Sequence, residues 1–261
     1  IIRLETVSFK YPGSEHLQLH NFSGQIGPNG LHALVGPNGS GKTTLLKVIR
    51  GLYQPTDGRV LLDGADINQF TQLELARRMG YLSQTAQLLS QSVRDNIALG
   101  NPNATDEQIV KAAQMACAHD FIIDLPDGYG TKLGEGANRF SAGQTKRIAI
   151  AQALLNDPPV LLFDEPTAEL DRQAEMQFVQ TLKELSKDHT ILVVTHSPYL
   201  LSHCQGVVVM RAGKLVAAGP AAQLLPKLGI NVAGQTPVKP PTALATAGND
   251  NVDETQDTAV S

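Results

Sequence analysis

Short apolar runs that end at glycine or at acidic residues alternate along this chain with polar stretches of helical period. IRLETVSFKY at 2–11 alternates apolar and polar positions, which predicts a half-buried strand. LHALVG at 31–36, VLLFDE at 160–165 and TILVVT at 190–195 are continuous apolar runs, the pattern of strands covered on both faces. RVLLDG at 59–64 predicts a further strand, and KTTLLKVIRGL at 42–52 a short helix ending at Gly51. In DRQAEMQFVQTLKELSK at 171–187, Phe178, Val179, Leu182 and Leu185 recur at helical spacing behind Asp171, a candidate N-cap. VVVMRAGKLVAAG at 207–219 predicts a hairpin turning near Ala212 and Gly213. A polar, helix-rich middle runs from about Thr85 to Asn156 and includes DEQIVKAAQMACAHDFI and the long run after SAGQ. Strands alternating with helices predict an α/β fold with a largely parallel sheet and an antiparallel addition.

Composition narrows the class. The 261 residues are enough to bury a full core, and 42% of them are hydrophobic, as in an ordinary globular protein. The formal net charge of -4 gives no sign of nucleic-acid binding. The longest apolar runs, such as ILVV at 191–194, are far too short to span a bilayer, so no direct membrane insertion of this segment is expected. The two cysteines, Cys117 and Cys204, make no disulfide framework and fit a reducing compartment. A first residue Ile1 rather than Met reads as a piece cut from a longer protein. From 231 to 261 the chain is rich in Pro, Thr, Ala, Asp and Asn without an aromatic residue, the composition of a disordered tail.

GPNGSGKTT at 36–44 matches the phosphate-loop pattern G-x-x-x-x-G-K-[ST], between an expected strand and an expected helix. Gly36, Gly39 and Gly41 permit a backbone whose N–H groups converge on phosphate oxygens at a helix N-terminus. The nucleotide-binding set on this reading is Gly36, Pro37, Asn38, Gly39, Ser40, Gly41, Lys42, Thr43 and Thr44. Lys42 brings charge to the outer phosphates and Thr43 a hydroxyl to Mg²⁺. VLLFDE then reads as the second strand of a nucleotide site. Successive residues of a strand point to opposite faces, so Asp164 and Glu165 are expected to do different work. Asp164 is expected to hold Mg²⁺ through water, and Glu165 to polarise the water that attacks the terminal phosphate.

Five ordered motifs covering about residues 2–229 resemble those of ATP-binding cassette (ABC) proteins. FSAGQTKRIAIAQALL at 140–155 resembles the LSGGQ signature, and DEPTAELD at 164–171 the Walker B motif and D-loop. VVTHS at 193–197 carries His196 where the family has its switch histidine. Gln84 in GYLSQ stands at the Q-loop glutamine, and Tyr11 in FKYP at the adenine-stacking aromatic. The resemblance implies a P-loop NTPase (RecA-like) core at about 1–84 and 157–230, with a helical subdomain at about 85–156. It implies ATP and Mg²⁺ as ligands, with Glu165, His196 and Lys42 catalytic, Gln84 reaching Mg²⁺, and Tyr11 stacking on the base. Ser141, Gly143 and Gln144 would serve the nucleotide of a second cassette in a head-to-tail dimer around two ATP.

Departures accompany the matches. The signature has Phe140 and Ala142 where Leu and Gly are usual, and AELD places Glu169 near the expected dimer seam. GLHALVG lacks the usual acidic residue. SQTAQLLSQSVRDNIALG at 83–100 and LPDGYGTKLGEGANRFSAGQ at 125–144 resemble exporter cassettes, in which the loop around Thr131 to Gly136 meets the membrane domain. The resemblance therefore implies the ATPase motor of an exporter on the cytoplasmic face of the inner membrane, its pattern most similar to bacterial polypeptide exporters, type I secretion included. Its transmembrane domain would be fused upstream. An importer-type cassette and a soluble, non-transport ABC ATPase are the alternatives.

Overall fold

The computed structural model describes residues 1–133 and 140–230. The expected disordered tail, and positions 134–139 of the loop before the signature, lie outside the described residues.

In chain order the elements are β1 (Ile2–Phe9), β2 (Leu19–Ile26), β3 (Gly30–Val35), α1 (Lys42–Ile49), β4 (Asp57–Leu62) and β5 (Ala65–Asp66). Next come α2 (Gln72–Arg78), β6 (Met79–Leu82), α3 (Val93–Ile97), α4 (Asp106–Met115), α5 (His119–Ile123) and α6 (Ala142–Leu154). The chain continues through β7 (Val160–Asp164), α7 (Arg172–Leu185), β8 (Thr190–Val194), α8 (Pro198–Leu201), β9 (Gly206–Arg211), β10 (Lys214–Pro220) and α9 (Ala221–Leu224).

A six-stranded sheet in the order β10-β9-β3-β8-β7-β6 is parallel throughout except for β10, which returns antiparallel along β9. Ala212 and Gly213, both at positive φ, make the two-residue turn between them. The antiparallel addition is therefore larger than one hairpin. β2-β1-β4-β5 form a separate four-stranded antiparallel sheet.

Pleat alternation decides what each sheet face covers. Val160 and Leu162 of β7, with Leu192 and Val194 of β8, join Leu45, Leu46, Val48 and Ile49 of α1 and the inner face of β1, β2 and β4 in one core. Leu161, Phe163, Ile191 and Val193 point the other way, onto Phe178, Val179 and Leu182 of α7 and Ile148 and Ala151 of α6. That second core continues into α3, α4 and α5, so the helices between β6 and β7 share apolar packing with the sheet. Asp171 caps α7 as expected, its carboxylate accepting from the Ala174 N–H at 2.8 Å. The run DEQIVKAAQMACAHDFI divides into α4 and α5, because Cys117 takes a positive φ between them.

Gly80 of β6 faces the end of α6. A Cβ there would lie 2.4 Å from the Ala153 carbonyl oxygen and 2.8 Å from Leu161. Gly80→Ala is expected to lower the unfolding free energy by about 1–3 kcal/mol, the range for overpacking a filled core. Urea denaturation checks this, and an unchanged midpoint would refute the packing described.

Candidate functional site

β3 runs out of the sheet at Val35 into the glycine loop. A Cβ at Gly36 would meet the Met210 carbonyl oxygen of β9 at 2.2 Å, so only glycine lets the loop lie this close to the hairpin. Gly41, with φ +97°, turns the chain into α1. The loop is fastened from the side, because the Gly213 N–H donates to the Ser40 carbonyl at 3.0 Å.

Lys42 opens α1 and is buried. Its ammonium donates to the carbonyls of Gly36 at 2.8 Å and Pro37 at 3.0 Å. Burial lowers its proton affinity, and the charges of Glu165 and Asp164 oppose that. One residue on, the Thr43 hydroxyl donates to Asp164 Oδ2 at 2.6 Å.

Asp164 ends β7, 1% exposed. Burial raises its pKa, against the pull of the Thr43 hydrogen bond and of Lys146 and Lys42. Glu165 stands beyond the strand at φ +51°, and its N–H donates to the Val194 carbonyl at 2.9 Å. A non-glycine residue rarely takes this backbone conformation. The turn brings Glu165 into the same cavity as Asp164, so their divergence comes from a left-handed residue rather than from strand alternation alone. Burial raises the Glu165 pKa, with His196 opposing; His196 Nε2 lies 3.5 Å from Glu165 Oε1.

A cavity of about 590 Å³ opens over these groups, within the range of small-ligand sites. Of the residues expected from sequence, Asn38, Gly39, Gly41, Lys42, Thr43, Thr44, Gln84, Asp164, Glu165 and His196 line it. Gln18, Ala168, Glu169 and Val194 also line it. Gln18 and Val194 had no sequence signal, and Glu169 had stood out only as a D-loop departure. Gly36 and Pro37 instead line a cavity of about 510 Å³ behind the loop, and Ser40 is buried. Tyr11 stands off the wall. Its ring packs edge-on against Phe9 at 5.0 Å and Tyr53 at 5.3 Å, and its hydroxyl shares a 3.0 Å hydrogen bond with that of Thr44.

Ser141, Gly143 and Gln144 are not on this wall. They start α6 in a reciprocal cap: the Ser141 hydroxyl accepts from the Gln144 N–H at 3.1 Å, and the Gln144 side chain accepts from the Ser141 N–H at 2.9 Å. A Cβ on Gly143 would lie 2.7 Å from the Glu169 carbonyl oxygen.

The oxygens present fit Mg²⁺. A hydroxyl and a carboxylate meet at the cavity wall, and this ion takes one or two protein oxygens and completes its shell with water and phosphate.

The model of the family described as "ABC transporter" matches residues 19–168, more than half of the chain. The chain belongs to the ABC transporter family. A model of an AAA domain also matches the shorter stretch 135–202. Among curated ABC relatives, a Staphylococcus aureus protein named "Putative multidrug export ATP-binding/permease protein" is 40% identical over 228 residues, 87% of this chain and 39% of that protein. Bacillus subtilis YgaD, similarly named, is 38% identical over 224 residues, 86% of this chain and 39% of its own length. A solved structure of a bacterial Atm1-family ABC exporter with ATP bound superposes with a TM-score of 0.81 at 33% identity, covering 88% of this chain and 40% of that one. The chain thus spans about 39% of the length of these curated ABC relatives. It is the ATP-binding, ATPase part of an ABC transporter fold.

Thr43→Val keeps the side-chain shape but leaves the buried Asp164 carboxylate without its hydroxyl donor. In protein free of nucleotide and metal this is expected to cost about 1–3 kcal/mol. Chemical denaturation with an unchanged slope reads it; equal stability would mean that the hydrogen bond does not form.

Proposed function

We propose that the chain is the motor domain of an ABC exporter, one of two cassettes that close head to tail around two ATP molecules. The observation that carries this reading is the single cavity shared by Lys42, Thr43, Asp164, Glu165 and His196. On this reading the cassette occupies residues 1–230, with a core at about 1–84 and 157–230 and a helical subdomain at about 85–156.

The amides of the glycine loop, from Gly36 through Thr44, cradle the phosphates at the start of α1. Lys42, already desolvated and held by two carbonyls, adds fixed positive charge beside the outer phosphates. Thr43 and Asp164 would hold Mg²⁺, and Gln84, which lines the same cavity, would reach it as well. Mg²⁺, when bound, neutralises charge on the outer phosphates. Glu165 orients the attacking water and takes its proton, and its burial-raised pKa brings it nearer the proton it must accept. His196 steadies Glu165 and hydrogen-bonds the terminal phosphate. Tyr11, off the cavity wall in this chain, is the ring that stacks on the base. ADP and phosphate leave as products.

Ser141, Gly143 and Gln144 lie off the wall that holds Lys42, so this reading gives them to the nucleotide of the second cassette. The Ala142 and Gly143 amides, which the reciprocal Ser141–Gln144 cap does not engage, suit a phosphate there. Export is supported by the printed names of the curated relatives and of the solved structure. Those relatives are ATP-binding/permease proteins, and this chain covers only their ATP-binding share. The reading therefore places a permease domain in the same polypeptide and the cassette on the cytoplasmic face of the membrane. Among the described residues no helix is long and apolar enough to cross a membrane.

Glu165→Gln keeps the shape and removes the base. Hydrolysis is expected to fall roughly 10²- to 10⁴-fold, and a dimer to accumulate with Mg–ATP in sedimentation analysis. Wild-type turnover in this variant would refute the assignment of Glu165.

A further inference from the structure

Two consecutive cations of α6 point in opposite directions. Arg147 turns toward the helices: its guanidinium donates to the Cys117 carbonyl at 3.1 Å and lies over the Phe121 ring at 5.1 Å. Lys146 turns toward the cavity. It is 1% exposed and among the largest fully buried side chains. Its ammonium donates to the Gln84 carbonyl at 2.6 Å, a contact between residues 62 positions apart. A lysine is almost never this buried without a charged or polar purpose.

We infer that Lys146 is a positioning residue of the ATPase site: it clamps the backbone of Gln84 and so sets where the Gln84 side chain enters the cavity. The inference rests on the ATPase reading above. Three carboxylates, Asp164, Glu165 and Glu169, line the cavity, and Lys42 is the one cation on its wall among the described residues. Lys146 lies behind that wall in the field of all three, with Glu169 the strongest of them. This attraction offsets part of the cost of burying its charge. The geometry makes Lys146 a tether from the helix that begins with the signature to the glutamine of the same chain's own site. The hydrogen bond thus ties α6 directly to the Gln84 backbone, beside the packing of α6 on β6.

The test is a double-mutant cycle in the full chain, using Lys146→Met, Gln84→Ala and both together, with Glu165→Gln as control. Lys146→Met keeps the apolar stem and removes the ammonium. It is expected to lower kcat roughly 10- to 100-fold, the effect of misplacing a group near the reacting atoms, with KM for ATP changed less than about twofold. The double variant should be no slower than the slower single variant, because both changes break one chain of action. In protein free of nucleotide and metal, hydrogen exchange of the peptide containing Gln84 should speed up at least about fivefold in Lys146→Met. If Lys146→Met does not fold, Lys146→Leu, which likewise lacks a donor, replaces it in the same cycle. Wild-type kcat, additive losses in the double variant, or unchanged exchange at Gln84 would each overturn the inference. Absence of ATP hydrolysis by the wild-type chain would instead remove the ATPase reading, so the two failures are distinguishable.

Discussion

The hydrogen bond from Thr43 to Asp164 joins the start of α1 to the end of β7, across 121 residues of chain. Everything in the cavity is arranged about that contact. It can form only because the glycine loop lies flat against β9 and delivers α1 at one fixed height above the sheet. It also fixes what the buried carboxylate can do. The Thr43 hydroxyl gives the buried Asp164 carboxylate a donor from within the chain.

Charge balance explains why the rest of the wall looks as it does. Three carboxylates face a single wall lysine, before a triphosphate adds several more negative charges. Within this chain, the loop amides and Lys42 are what is set against that negative charge. The Lys146 ammonium behind the wall lies in the field of the same three carboxylates, while burial raises the pKa of Asp164 and Glu165.

How much of this was legible depended on whether a signal was local. The glycine loop, the apolar run ending in two carboxylates and the Asp171 cap are contiguous patterns, and the structure has them where they were expected. β2 and β6 were not visible. LHNFSGQI alternates imperfectly, and MGYL has only four residues, whose identity as a strand comes from pairing with β7. Gln18 and Val194 reach the cavity through tertiary placement alone. Lys146 did leave a trace: it falls three and four positions before the buried Ala149 and Ile150, a lysine on an apolar helix face. The left-handed turn at Glu165 left none, because glutamate rarely takes that conformation and here its N–H is bonded to the distant Val194 carbonyl.

Gly143 has a consequence for how variants at the signature are interpreted. Its α-carbon is pressed against the backbone of Glu169 inside one subunit, with no room for even a methyl group. A bulkier residue must push the segment after β7 aside, and that segment forms part of the subunit's own cavity wall. A defect at this position therefore has an origin within the subunit as well as any origin across a dimer. Mixed dimers carrying the change in one copy would separate the two, since a fault confined to one subunit follows its own cavity rather than its neighbour's.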